Sequence, residues 1–161
     1  MYLTKHALLC TIIALGSLLL SPAWADDRHI GRVKTLKGEV YVDREGGSIP
    51  AELGLWIQES DRIRTGNNSA IGILFIDDTR LALGSDSQLS LSEYRFDRIS
   101  RDGKAEMELK SGVLSMVAGQ LIERKPESLK VRTPTAAIAV RGTAFSVKVN
   151  QSAPQATTES R

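Results

Sequence analysis

Cysteine and histidine are nearly missing from this chain: one Cys (Cys10) and two His (His6 and His29) in 161 residues. A single cysteine cannot close a disulfide within a chain, so stability has to come from a packed core. A zinc site built on His and Cys ligands is excluded by the same count. His29 is the fourth residue of the expected mature chain, where termini fray. A catalytic histidine must be held by packing and a second hydrogen bond, so a Ser-His-Asp arrangement is not expected.

Long apolar runs are also scarce. The one clear example is ALLCTIIALGSLLL, residues 7–20, shorter than the roughly 20 residues that cross a bilayer. Lys5 precedes it and SPAWA follows, with Ala23 and Ala25 in the small-residue positions of a cleavage site. The pattern predicts a signal peptide over 1–25, cut between Ala25 and Asp26, with an uncleaved anchor as the alternative. Cys10 lies within the apolar run and not after it, which argues against a lipoprotein. The mature chain is expected to be periplasmic or secreted and not membrane-spanning.

Charge of one sign is lacking too. Of 21 basic and 19 acidic residues, Lys5 alone falls within 1–25, which leaves 20 against 19. A near-neutral, mixed surface does not suit nucleic acid, which needs a basic stripe.

What the chain does have is alternation with a period of two. Val40 and Val42 flank Tyr41; Leu81 and Leu83, Leu89 and Leu91, Met107 and Leu109, Leu129 and Val131, and Phe145, Val147 and Val149 follow the same rule. SAIGILFID (69–77) is apolar on both faces and predicts a central strand covered on both sides. Turn clusters punctuate these runs: REGGS (44–48), TGNNS (65–69), IDDT (76–79), LGSDS (83–87), SRDGK (100–104) and KPES (125–128). The fold class is all-β, a single domain over 26–149 of many short strands, arranged as a two-layered sandwich, a barrel or a solenoid. Residues 150–161 carry no apolar period and predict a disordered tail. A short helix within 105–122 is the alternative to strands there, against which Gly112 and Gly119 argue. LKGEVYV (36–42) and LKSGVLSMV (109–117) look faintly alike, an echo too short to define a repeat.

The carboxylates offer little chemistry. Asp77 and Asp78 predict a hairpin tip. Glu52, Glu59 and Asp61 lie near one another, but no pattern aims a pair across a cleft as glycoside hydrolysis requires. No loop has calcium-binding spacing. No cofactor is implied. Trp56 reads foremost as a core strand residue, with an anchor for a sugar or a partner as the second reading; Tyr41 shares the ambiguity. Tyr41, Tyr94 and Phe96 read foremost as core or cross-strand pairs.

Several motifs together resemble the FecR domain, an all-β periplasmic module. GRVKTLKGEVYVDR (31–44) is like its opening strands. SDRIRTGNNSAIGILFIDDTRLALGSDSQLSL (60–91) is like its central block. LKSGVLSM (109–116) is like a later strand, and VRTPTAAIAVRGTAFSVKV (131–149) like its close. The family positions are Asp61, Thr65, Asp77, Thr79, Thr133, Pro134, Arg141, Gly142, Thr143 and Phe145. The chain departs from the family at Ser60 and Asp78, where glycine is usual. In AAIAV (136–140) the alanines read as letting two layers approach closely, Pro134 as a strand start or edge, and Gly142 as a bend. Arg141 reads as partly buried against Asp61, Asp77 or turn carbonyls, with ligand contact as the alternative. Signalling members carry a sigma-regulating segment and one transmembrane helix ahead of this domain; neither is visible here. The resemblance implies export, a β architecture and a binding role in place of catalysis. The expected partner is an envelope or periplasmic protein, alternatively a glycan stacking on Trp56 or Tyr41.

Overall fold

The computed structural model describes residues 29–139 and 144–150. Ala25, Asp26, the Arg141-Gly142-Thr143 step and the chain beyond Asn150 lie outside these residues.

Twelve strands form: β1 His29–Lys37, β2 Val40–Arg44, β3 Gly47–Pro50, β4 Trp56–Gln58, β5 Arg62–Thr65, β6 Ala70–Phe75, β7 Arg80–Leu83, β8 Gln88–Phe96, β9 Gly103–Val117, β10 Leu129–Arg132, β11 Ala137–Ala139 and β12 Ala144–Val149. Among the described residues helix is confined to α1 (Gln120–Arg124) and a 3-10 turn, Pro126–Ser128. The strands make one hydrogen-bonded sheet in the order β3-β2-β5-β8-β9-β7-β6-β1-β4, with β10 and β12 added to β9 and β11 to β10. It curls into a half-barrel, so the all-β fold expected from the alternation is the fold adopted. Its two layers are the two halves of one sheet. β9 belongs to both: its first half bonds β8 and β10, its second half β7 and β12.

The alternation decides which side faces in. Val40 and Val42 are buried and Tyr41 is not; Ile71, Ile73 and Phe75 are buried on β6, as are Leu81 and Leu83 on β7. Each such side chain contributes about 1.5–3 kcal/mol by leaving water. On β9 the buried set runs Ala105, Met107, Leu109 and then Leu114, Met116, which breaks strict alternation. Lys110 and Gly112 repair the phase: the pairing with β8 skips Lys110, between Leu109 and Ser111, and Gly112 follows at φ 90°. Without that bulge Ser111, Val113 and Ser115 would face the core.

Three expectations need correction. Ala70, Gly72 and Leu74, the second apolar face of β6, are only half-buried, and no described residue covers that face. β6 is central in hydrogen bonding, between β1 and β7, yet outermost in layering. Ala136 and Ala137 are exposed; Ala137 opens β11, which among the described residues bonds β10 alone, and none of those residues forms a second layer over them. Pro134 stands in the hairpin turn between β10 and β11, after Thr133, whose N–H donates to the carbonyl of Ala136 at 2.7 Å. Proline presets φ for the first central position of such a turn.

Candidate interaction surface

Four family-motif residues, Asp61, Thr65, Asp77 and Thr79, are buried and tie the corners of the sheet. Asp61 is fully buried. Its carboxylate accepts Arg44 Nε at 2.8 Å and Arg44 Nη2 at 2.7 Å, and the backbone N–H of Gln58 at 2.8 Å. Arg44 also donates to the carbonyl of Trp56. Thr65 Oγ1 donates to the carbonyl of Gly84 at 2.6 Å and accepts the N–H of Ser87 at 2.9 Å. Asp77, also fully buried, accepts the N–H and hydroxyl of Thr79, the N–H of Leu121 and the hydroxyl of Tyr94. Thr79 Oγ1 accepts the N–H of Gly119. A Cβ on Gly119 would meet Asp77 O and Thr79 N at 2.3 Å, so glycine is required where the end of β9 crosses this turn. Burial, and next the Asp77 charge, push the Tyr94 hydroxyl far above the usual tyrosine range.

The other sequence-derived positions scatter. Thr133 Oγ1 accepts the N–H of Ala136 at 3.0 Å, and Pro134 beside it is exposed. Phe145 is half-buried opposite Met116. The expected pairing of Arg141 falls outside the described residues; of its two candidate carboxylates, Asp61 holds Arg44 and Asp77 holds neutral donors. Glu59 accepts the N–H of Tyr94 at 3.2 Å, while Glu52 is exposed, so these acids do separate jobs. Asp78 has φ 68° and Ser60 has φ 70°. Both departures from glycine therefore occupy left-handed backbone that glycine favours.

Trp56 is 44% exposed, which overturns its placing in the core. It lies on β4, the strand at one end of the sheet, and points outward. His29 stacks on its ring at 5.0 Å and the Arg32 guanidinium lies 4.9 Å from the ring centre. Tyr41 is also exposed, with Arg64 alongside at 5.9 Å. Tyr94 and Phe75 stack in the core at 4.7 Å.

The surface that remains open is the outer face of β4, β1, β6, β7, the second half of β9, and β12. The register puts Trp56, Arg32, Leu74, Arg80, Val117 and Ala144 directly opposite one another in turn, one row across six strands. A parallel row of Thr35, Gly72, Ala82, Ser115 and Ser146 supplies a low floor. Leu74, Arg80, Val117 and Ala144 of the first row and Thr35, Gly72, Ala82 and Ser115 of the second line a groove of about 620 Å³ from β1 to β12. β12 bonds only β9 among the described residues, so its second edge is open beside the groove.

Two serines and an arginine were missed by sequence reasoning. Ser69 Oγ accepts the N–H of Glu39 just after Gly38, and Ser87 Oγ accepts the N–H of Val113 just after Gly112, both at 2.9 Å. The signal was present: Gly66-Asn67-Asn68-Ser69 and Gly84-Ser85-Asp86-Ser87 are the same G-x-x-S turn, and both third residues have positive φ. Arg44 had no such signal, since its partner is distant in sequence.

Among the described residues no helix is long and apolar enough to cross a membrane. No curated protein and no solved structure shows significant similarity to the chain. A family model described as FecR protein matches residues 61–160, well over half of the sequence. β1 to β4 precede that span, and two of them bond directly into it, β1 on β6 and β2 on β5. The chain belongs to the FecR protein family, a family of envelope-associated, signalling-related proteins.

Proposed function

We propose that this protein is an exported, non-catalytic binding module of the cell envelope that works by contact with another envelope protein. One observation carries the reading: among the described residues β12 pairs on one side alone, with β9, beside an apolar face that none of them covers. An extended segment of a partner can add to such an edge with main-chain bonds and place side chains in the groove. The saturation of the buried carboxylates supports the same view, because Asp61 and Asp77 spend their lone pairs on corner donors.

The rest of the proposal follows from the sequence. Residues 1–25 direct export and are removed between Ala25 and Asp26, residues 26–149 are the domain, and 150–161 form a tail. The family-motif residues serve the fold, and the partner is a periplasmic or envelope protein. A glycan is the second reading, favoured by the exposed ring of Trp56. Two measurements decide. N-terminal sequencing of the exported protein is expected to begin at Asp26. An envelope protein retained by the purified chain is expected to be lost when Val147→Pro blocks edge pairing, with circular dichroism confirming the fold. A fluorescence shift with soluble glycans that vanishes in Trp56→Ala would favour the second reading instead.

A further inference from the structure

We propose that the groove on the outer face is a docking site for an acidic amphipathic helix of a partner protein. This deepens the contact function above and rests on it.

The charge of this half of the sheet is the first observation. β1, β4, β6, β7, β12 and residues 111–117 of β9 contain no Asp or Glu. They carry Arg32, Lys34, Lys37, Arg80 and Lys148, all exposed. None of these five makes an ion pair with a described residue. The other half behaves differently. There Arg64 pairs with Asp43 at 2.8 Å, and Arg132 with Glu106 at 2.7 Å. The Arg64 guanidinium holds the Asp43 carboxyl below its usual range. Lys104 does the same for Glu93. The acids of the strands are thus confined to the other half, and this face carries cations alone. Carboxylates are the complement such a face lacks.

The groove is the second observation. Its floor is apolar and small, with Gly72 and Ala82 at the centre, Leu74 and Val117 beside them, and Lys34 and Arg80 among its walls. Thr35 keeps the floor low. Its hydroxyl stands where a Cβ on Gly72 would be, 2.3 Å away.

Direction decides the shape of the occupant. The groove crosses the strands from β1 to β12, four inter-strand steps, or about 19 Å at ~4.8 Å each. A segment lying across strands cannot join their ladder, so an extended chain would leave its own N–H and C=O groups unpaired over an apolar floor. A helix satisfies them internally, and about 13 residues cover that length. Its apolar stripe meets Leu74, Ala82 and Val117, and flanking carboxylates meet Lys34 and Arg80.

The probe is a synthetic helix of fourteen residues with Leu on one face and Glu on the flanks, titrated into the purified protein. A Lys-flanked version and a scrambled one are the controls. The Glu-flanked helix is expected to bind at least about tenfold more tightly than either, and Arg80→Glu to remove that preference. Ala82→Trp, which fills the floor without touching a charge, is expected to abolish binding while circular dichroism and Tm stay unchanged. Equal binding of Glu- and Lys-flanked helices overturns the proposal. So does Arg80-dependent sedimentation with phosphatidylglycerol vesicles in the absence of peptide binding, which would make this a membrane-facing surface. Self-association lost in Ala82→Trp would make the occupant a second copy of the chain. If the peptide fails while Val147→Pro still releases an envelope partner, the contact function stands and only the helix is wrong.

Discussion

The hydroxyl of Ser87 accepts the amide of Val113 at 2.9 Å and donates toward the carbonyl of Gly84 at the same distance. It thereby pins the bend of β9 to the corner between β7 and β8. Gly112, immediately before Val113, sits at φ 90°, and a Cβ there would lie 2.4 Å from Ser87 Cα. Gly38 and Ser69 repeat the arrangement at the corner between β1 and β2. The faint likeness of LKGEVYV to LKSGVLSMV is thus a repeated corner. Gly112→Ala is expected to cost more than about 3 kcal/mol, from backbone clash and left-handed strain together. Ser87→Ala should cost about 1–2 kcal/mol. Urea unfolding measures both, and a Gly112→Ala cost under about 1 kcal/mol would contradict the close approach.

Tyr94 makes the fold sensitive to alkali. In the folded chain its hydroxyl stays protonated far above 10, whereas the unfolded chain ionises near the ordinary value of 10.0. A raised folded-state pKa gives stability that is complete below 10 and is lost as pH rises above it. The loss attributable to Tyr94 is expected to be about 1.4 kcal/mol per pH unit. Tyr94→Phe should lower stability at neutral pH by about 1–2 kcal/mol, because Asp77 loses a donor. The same variant should have a shallower decline above pH 10. Parallel declines for the two proteins would sink the assignment.

Ser60 and Asp78 hold left-handed backbone without being glycine. Ser60→Gly is expected to raise stability by up to about 1 kcal/mol, read as a higher denaturation midpoint at unchanged m-value. Asp78→Gly should gain less, because it gives up the bond from Gln120 Nε2 at 2.7 Å and aspartate tolerates this region better than serine.

Asp61 takes both nitrogens of the Arg44 fork, and Arg44 keeps about a quarter of its side chain in water. Asp61→Ala takes the carboxylate from the guanidinium, which keeps the Trp56 carbonyl, and from the N–H of Gln58, an expected loss of about 2–3 kcal/mol. Arg44→Met should cost at least as much, because it leaves the fully buried Asp61 carboxylate without its cation. Thermal unfolding of the two single variants and the double variant gives the coupling directly.

Much of this architecture was legible in the sequence because a strand half-buried in a sheet writes its burial as alternation. Val40 with Val42, and Leu81 with Leu83, are read correctly from hydrophobicity alone, whereas Tyr41, favoured for the core or a cross-strand pair, is exposed. The misreadings arise where one face of a strand has no cover. Trp56 looks like core by size, yet β4 lies at the end of the sheet and its outward side has no layer above it. Leu74, Ala136 and Ala137 mislead for the same reason, since apolar composition reports a need for cover and not whether the chain itself supplies it. The candidate surface was less legible still. It is a row of residues drawn from six strands, and only the register brings Arg32, Leu74 and Arg80 side by side. The absence of acids from these strands is visible in the sequence once the strands are known to share a face.

The most direct test of a contact function is photo-cross-linking in intact cells. A photoreactive residue is placed at Ala82 or Lys148 on the outer face, and as a control at Arg101 in the turn between β8 and β9. The account predicts one discrete adduct to an envelope protein, common to Ala82 and Lys148 and missing at Arg101. No adduct at either outer-face position, or the same adducts at all three, would contradict it.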